Sequence, residues 1–248
     1  MTELRVLTTM VPRNDLHQQC VYPLLKAVSR RFDITWHVHI DHTDHFSQSE
    51  SNETRQAIQN FSEEHEIRAV VWERWTDCGF SSAAKTLFNS VRSSDDAIFL
   101  WLEDDWEVTD TSGIAEELAG FAESDERYYS LGAPYSVLGM PFFFKKDLFD
   151  EIHWLYVNEP LIDPELTFSR AAMRVWWNWG QIMWRFPNEG ELVEIREMMQ
   201  THVKNEIEEI KPVSRIREPV VVCRGKQWRK DRGIGRSWVD LHGVWDEA

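Results

Sequence analysis

An α/β fold with a mostly parallel central sheet flanked by helices follows from three features of the sequence. In the first half, short apolar segments of strand length alternate with amphipathic stretches of helical length, the pattern of parallel strands joined by crossover helices. The run from Ala97 to Leu102 is apolar throughout and stops abruptly at Glu103-Asp104-Asp105, as a strand buried on both faces does where it meets solvent. Beyond Pro141 the alternation weakens and longer helical patterns replace it, so the C-terminal portion is expected to be helical.

The elements follow in order. Residues 4–10 read as a first strand, stopped by Pro12-Arg13-Asn14, and residues 16–31 as a helix starting near Asn14 or Asp15. Residues 34–40 form the second strand, 50–65 a polar helix and 69–73 the third strand. Gly79 and Ser81 or Ser82 introduce a helix over residues 81–92, and the apolar run ending at Leu102 is the fourth strand. Thr111-Ser112 can cap a helix reaching Glu123, and residues 128–137 return as a strand before Gly139-Met-Pro141 turns the chain. Residues 142–157 and 168–185 look helical, 191–210 is a charged helix with acids and bases at helical spacings, and 219–223 is the last strand. No repeat or linker divides the chain, so its 248 residues are expected to form a single domain.

Composition excludes several classes. A formal net charge of −15 argues against a nucleic-acid binder, since that affinity rests on Lys and Arg neutralising phosphates. Cys20, Cys78 and Cys223 are odd in number and far apart, which suggests neither a disulfide framework nor a thiolate zinc site. With no secretory pattern at the start and no apolar run long enough to span a bilayer, a soluble cytoplasmic protein is expected.

Three adjacent acids repel one another, and something positive must compensate them. A divalent cation, Mg²⁺ or Mn²⁺, takes carboxylate oxygens and bridges to phosphates, so Glu103-Asp104-Asp105 reads as a metal-assisted phosphate-ligand site; the alternative is an acidic turn capping the next helix. The stretch from Arg215 to Arg236 carries eight Lys or Arg in an acidic protein. It either folds back to clamp a diphosphate or pairs with acidic surface helices. Thirteen Trp include Trp176, Trp177 and Trp179, which serve core packing or, if exposed, stack on sugar faces. His37, His39 and Asp41 alternate and so share one strand face; a transition-metal set and simple packing both fit them.

The succession of strand, helix, strand, a helix introduced by Gly79-Phe-Ser81, and an apolar strand ending in Glu103-Asp104-Asp105 resembles the GT-A class of nucleotide-sugar glycosyltransferases, close to the family 2 type. That family ends the equivalent strand in Asp-x-Asp. By this resemblance Glu103 faces the nucleotide ribose, Asp105 ligates the metal, and Asp104 is the variable middle residue of the donor site. Thr8-Thr-Met-Val-Pro-Arg13, with Thr9, Pro12 and Arg13, is similar to the border of the nucleobase pocket, and Asp41 to the acid that reads the base. Lys85 closes a stretch similar to Gly-x-x-x-Ala-Arg-Asn.

The resemblance further implies a catalytic base from Asp163-Pro-Glu165, either acid serving as base or capping the helix that follows. Arg229, Lys230 and Arg236 fall to the diphosphate, His242 to the metal, and Trp176, Trp177 and Trp179 to a saccharide acceptor. Residues 1–110 would be the nucleotide-binding half, and 111–248 the acceptor-binding half with the basic tail. The implied activity is metal-dependent, with Mn²⁺ or Mg²⁺: an inverting transfer of a sugar from a UDP- or GDP-sugar to a saccharide. Because no Gln-x-x-Arg-Trp motif occurs, a processive synthase is not implied. Two rivals remain. A sugar-phosphate nucleotidyltransferase should carry a Gly-rich loop after the first strand, where Val11-Pro-Arg-Asn-Asp15 has none. A non-catalytic glycan- or protein-binding module is the other.

Overall fold

The computed structural model describes residues 2–42, 46–74, 79–91, 98–126, 128–131, 141–146, 148–150, 153, 214–215 and 221–233. In chain order these form β1 (Thr2–Met10), α1 (Asn14–Cys20), α2 (Tyr22–Val28), β2 (Phe32–Asp41), α3 (Gln48–Glu64), β3 (Arg68–Arg74), α4 (Gly79–Ser90) and β4 (Ile98–Trp101). There follow β5 (Trp106–Val108), α5 (Ile114–Glu123), β6 (Tyr128–Ser130), β7 (Phe142–Lys145), β8 (Ser214–Arg215), β9 (Val221–Cys223) and α6 (Gly225–Arg232).

Among the described residues the main sheet runs β3-β2-β1-β4-β7-β6-β8. Strands β3, β2, β1 and β4 are parallel, as expected from the alternating sequence, and β7 runs antiparallel to both β4 and β6. Val6 lies between Trp36 and Leu100, and residues 4–7 of the central strand are paired on both sides. Side-chain alternation then builds two cores. One face sets Leu4, Val6, Ile34, Trp36 and Leu100 against Leu24, Leu25, Ile58 and Leu118 from the helices. The other carries an aromatic stack in which Phe88 of α4 meets Trp101 at 5.9 Å and Phe149 meets Phe99 at 4.2 Å. The buried Trp36 indole N–H is satisfied by Thr8 Oγ1 at 2.9 Å.

Four sequence expectations change. The helix expected over residues 16–31 is two helices meeting at Val21, because Pro23 at the start of the second lacks an N–H and cannot lie deep in a continuous helix. The expected start of the helix over residues 142–157 is instead β7: Phe142 and Phe144 pack on one face and Phe143 on the other, the alternation of a doubly buried strand. The helix ending at Glu123 is not capped by Thr111 or Ser112. Gly113 precedes it at φ 77°, while Asp110 accepts from the Ser112 N–H at 2.9 Å to close the turn. Finally, α3 begins earlier than residue 50 because Ser47 and Glu50 form a reciprocal capping box. The expected helices over 168–185 and 191–210 lie outside the described residues.

A separate two-stranded ladder pairs β5 with β9, Trp106 opposite Cys223. It carries α6 across the sheet end where β1 and β4 finish.

Candidate functional site

Parallel pairing of β1 with β4 brings their two following loops side by side, and the Leu102 N–H still reaches Leu7 O at 3.0 Å. From the first loop comes Arg13, from the second the acidic triplet. Asp104 turns inward and is only 4% exposed. Arg13 donates to it through both Nε, at 3.1 Å, and Nη2. The Val11 N–H donates to Asp104 Oδ2 at 3.2 Å, and His17 Nε2 lies at 3.2 Å. Burial works against charge on both partners. Even so, Arg13 holds the Asp104 carboxyl below the usual range, and Asp104 with Asp105 keeps the Arg13 guanidinium raised. The Asp104 oxygens are therefore engaged within the protein by Arg13, the Val11 N–H and His17.

Asp105 is oriented differently. Its Oδ2 lies 3.7 Å from Arg13 Nη2 and 3.8 Å from Arg229 Nη1, longer than direct hydrogen bonds. Its carbonyl accepts from the Arg224 N–H at 2.8 Å, and Arg224 also pairs with Glu107. The carboxylate rests against Gly225, where an added Cβ would lie 1.8 Å from Oδ2. Glu103 accepts from the Trp101 indole N–H at 3.3 Å. The positive compensation demanded by three adjacent acids is thus supplied, among the described residues, by guanidinium groups and the start of α6. The described part of the basic stretch, residues 221–233, folds back over the acidic strand end.

Beside this cluster is a cavity of about 220 Å³ between the β1–α1 loop (Pro12, Arg13), Phe46 with Glu50 and Glu53 at the start of α3, and Trp228 and Arg232 of α6. Trp228 closes it. Its indole N–H donates to Asp15 Oδ2 at 2.8 Å, Phe46 stacks on it at 6.1 Å, and the Arg13 and Arg232 guanidinium groups lie 5.4 and 4.0 Å from its ring centre. Burial tends to raise the Asp15 pKa, but the Trp228 donor and Arg232 bring it below the ordinary value. Asn14 also lines the cavity, and its Oδ1 is buried with no partner among the described residues. Such an arrangement of arginines, acids and an orphaned amide oxygen can hold an anionic, hydrogen-bonding ligand.

The other sequence candidates divide. Thr9 and Asp41 are buried at the ends of β1 and β2, at the same sheet end as the cluster. Lys85 and Lys230 are exposed on α4 and α6, and neither lines the cavity. His37 and His39 are buried, with Ser90 of α4 at 3.3 Å from His37 Nδ1; burial, helped by Arg5 and Arg68, lowers the His37 pKa to about 4. His37 packs against α4, and among the described residues neither histidine belongs to a metal set. Asp163, Glu165, Trp176, Trp177, Trp179, Arg236 and His242 lie outside the described residues. The sequence reading missed His17, Asp15, Phe46 and Trp228. Arg13 and His17 are four apart, a spacing that could have linked them across the start of α1, but nothing local ties Trp228 to Asp15.

Among the described residues no group of three His, Cys, Asp or Glu gathers to hold a metal ion. A hard carboxylate at a strand end beside arginines nevertheless fits a divalent cation shared with a diphosphate, where one or two protein ligands suffice and phosphate oxygens complete the shell. Of the triplet, Asp105 is the acid that could serve as such a ligand, with Arg13 and Arg229 within 4 Å of its Oδ2.

No known family's sequence profile matches the chain, and no curated protein matches it in sequence. Solved structures do. The mannosyltransferase PcManGT from Pyrobaculum calidifontis, in complex with GDP-Man and Mn²⁺, is similar over 70% of this chain and 52% of its own, with 15% identity and a TM-score of 0.50. S. aureus TarS 1-349 gives 12% identity over 69% of this chain and 55% of its own, with a TM-score of 0.49. The chain thus spans about half the length of these two structures. The likeness is one of fold: a mixed α/β sheet of GT-A type.

Proposed function

We propose that the chain is a nucleotide-sugar glycosyltransferase that moves a hexose from a UDP- or GDP-sugar to a saccharide acceptor, with inversion and without processivity. The observation that carries this reading is the convergence of Arg13, Asp105 and Arg229 beside the cavity that Trp228 closes, at the carboxyl end of parallel strands. The fold shared with PcManGT, a mannosyltransferase in complex with GDP-Man and Mn²⁺, supports the donor class and a divalent cofactor.

In the reaction the acceptor hydroxyl oxygen bonds to the anomeric carbon as the bond from that carbon to the diphosphate oxygen breaks. The leaving diphosphate carries the electron pair, and the hydroxyl proton passes to a base, for which Glu165 and Asp163 are the candidates. Arg13, oriented by Asp104, and Arg229 with Lys230 and Arg236 neutralise the diphosphate; Glu103 and Asp41 face the nucleoside; Trp176, Trp177 and Trp179 stack on the acceptor. A Mn²⁺ or Mg²⁺ ion held by Asp105 and His242 would add Lewis-acid stabilisation of the departing oxygens.

Internal neutralisation of the triplet by arginines favours one rival, a binding module without turnover. The discriminating measurement is Mn²⁺-dependent release of UDP or GDP across a panel of nucleotide sugars. Release that falls at least about 100-fold in a folded Asp105→Ala variant supports the transferase. A folded wild-type protein that binds sugars and releases neither nucleotide from any donor supports the module.

A further inference from the structure

We propose that the cavity closed by Trp228 takes the base of the donor nucleotide, and that Glu53 selects guanine as that base. The inference rests on the nucleotide-sugar reading above and deepens it, choosing GDP over UDP.

The walls set the size and shape of the occupant. Whole drug-sized ligands fill pockets of about 300 Å³ or more. A cavity of about 220 Å³ therefore takes one ring system and leaves the phosphates outside. Phe46 and Trp228 line it with rings 26° from parallel, and Pro12 adds a third apolar wall, which suits a flat heterocycle. Arg13 lines the same cavity and reaches Asp104 and Asp105 at the strand end, so phosphates attached to a base held here lie on the side of the arginine cluster.

The polar groups set its chemistry. Arg13 is committed to Asp104, and Asp15 Oδ2 to Trp228 and Arg232. Ser47 holds Glu50 in the capping box. Glu53 lies one turn further along the same face of α3, and among the described residues it accepts only from the Ser49 hydroxyl, at 3.1 Å. Its second oxygen and the buried Asn14 Oδ1 are acceptors, so the occupant must bring donors. Arg232 keeps N–H groups beyond its bond to Asp15 and can serve one acceptor. Guanine matches this set. Its N1–H and 2-amino group donate side by side to a carboxylate, and the neighbouring O6 accepts from a guanidinium. Uracil sets a single N–H between two carbonyls, which would meet carboxylates acceptor to acceptor. Adenine offers one amino group beside a ring nitrogen that accepts. A site built to hydrogen-bond one group rejects the analogue that lacks it.

The test is calorimetric titration of the full chain, in Mn²⁺, with GDP, inosine diphosphate, UDP and ADP. GDP is expected to bind at least about tenfold more tightly than UDP or ADP, the scale of a hydrogen bond to a charged group. Inosine diphosphate, which lacks the 2-amino group, should fall between. Glu53→Gln puts an N–H where guanine needs an acceptor and should lose most of the preference for GDP while leaving UDP affinity unchanged. Glu63→Gln makes the same change on the same helix at an exposed residue bonded to Gln59 and outside the cavity lining, and should keep the preference whole.

UDP or ADP binding as tightly as GDP overturns the proposal, as does inosine diphosphate equalling GDP or a preference that survives Glu53→Gln. Release of UDP from a UDP-sugar would then leave the transferase reading intact. A guanine preference without release from any donor would defeat that reading and leave the base site standing. Failure of all four nucleotides to bind would defeat both.

Discussion

Arg13 and Asp104 illustrate how a buried ion pair can serve a site without touching its ligand. Removing both charges from water is costly, and the geometry offsets that cost only because two guanidinium donors, the Val11 N–H and His17 all converge on one carboxylate. Losing one partner strands the other. Asp104→Ala is therefore expected to lower unfolding free energy by about 3–5 kcal/mol in urea denaturation, since Arg13 would remain buried and uncompensated. A loss below about 1 kcal/mol would mean that Arg13 escapes to solvent. At this scale the triplet itself was legible, because three acids closing an apolar run violate the pattern around them. Its division of labour was not. Which acid turns inward depends on Arg13, 91 residues away in sequence, and no local spacing encodes that pairing.

At the scale of elements, the start of α6 is as demanding as any side chain. Gly225 leaves the room that the Asp105 carboxylate fills, and a methyl group there would overlap it. Gly225→Ala is expected to destabilise by about 1–3 kcal/mol and to weaken UDP or GDP binding by calorimetry, because the carboxylate must shift away from Arg13 and Arg229. Gly120→Ala, in α5 with nothing within 4 Å, should instead stabilise by about 0.5–1 kcal/mol. The parallel strands were readable from apolar runs bounded by turn residues. By contrast, β7 was not, since Phe142, Phe143 and Phe144 are apolar on both faces and carry no period to tell strand from helix. The break between α1 and α2 was signalled by Pro23, which the helical pattern around it concealed.

For the whole molecule, the alternating elements sufficed to indicate an α/β fold with a mostly parallel sheet. Burial of titrating groups was not visible in that pattern, yet it sets the acid limit of stability. His37 has a folded pKa near 4 against an ordinary 6.5, so the unfolded chain takes up its proton first as pH falls. Its contribution is whole above pH 6.5 and is lost on descending towards 4, amounting to about 3 kcal/mol. Urea midpoints measured from pH 7 to 4 should fall less steeply in His37→Gln than in wild type; parallel profiles would refute this burial. The ladder of Trp106–Val108 with Val221–Cys223 has a further effect on biogenesis. Asp15 and Trp228 meet across 213 positions, so Trp228 must leave the ribosome before the cleft can close. Such a high-contact-order closure is slow, and until it occurs the nascent β1–β4 layer stands as an unfinished platform for chaperones to guard.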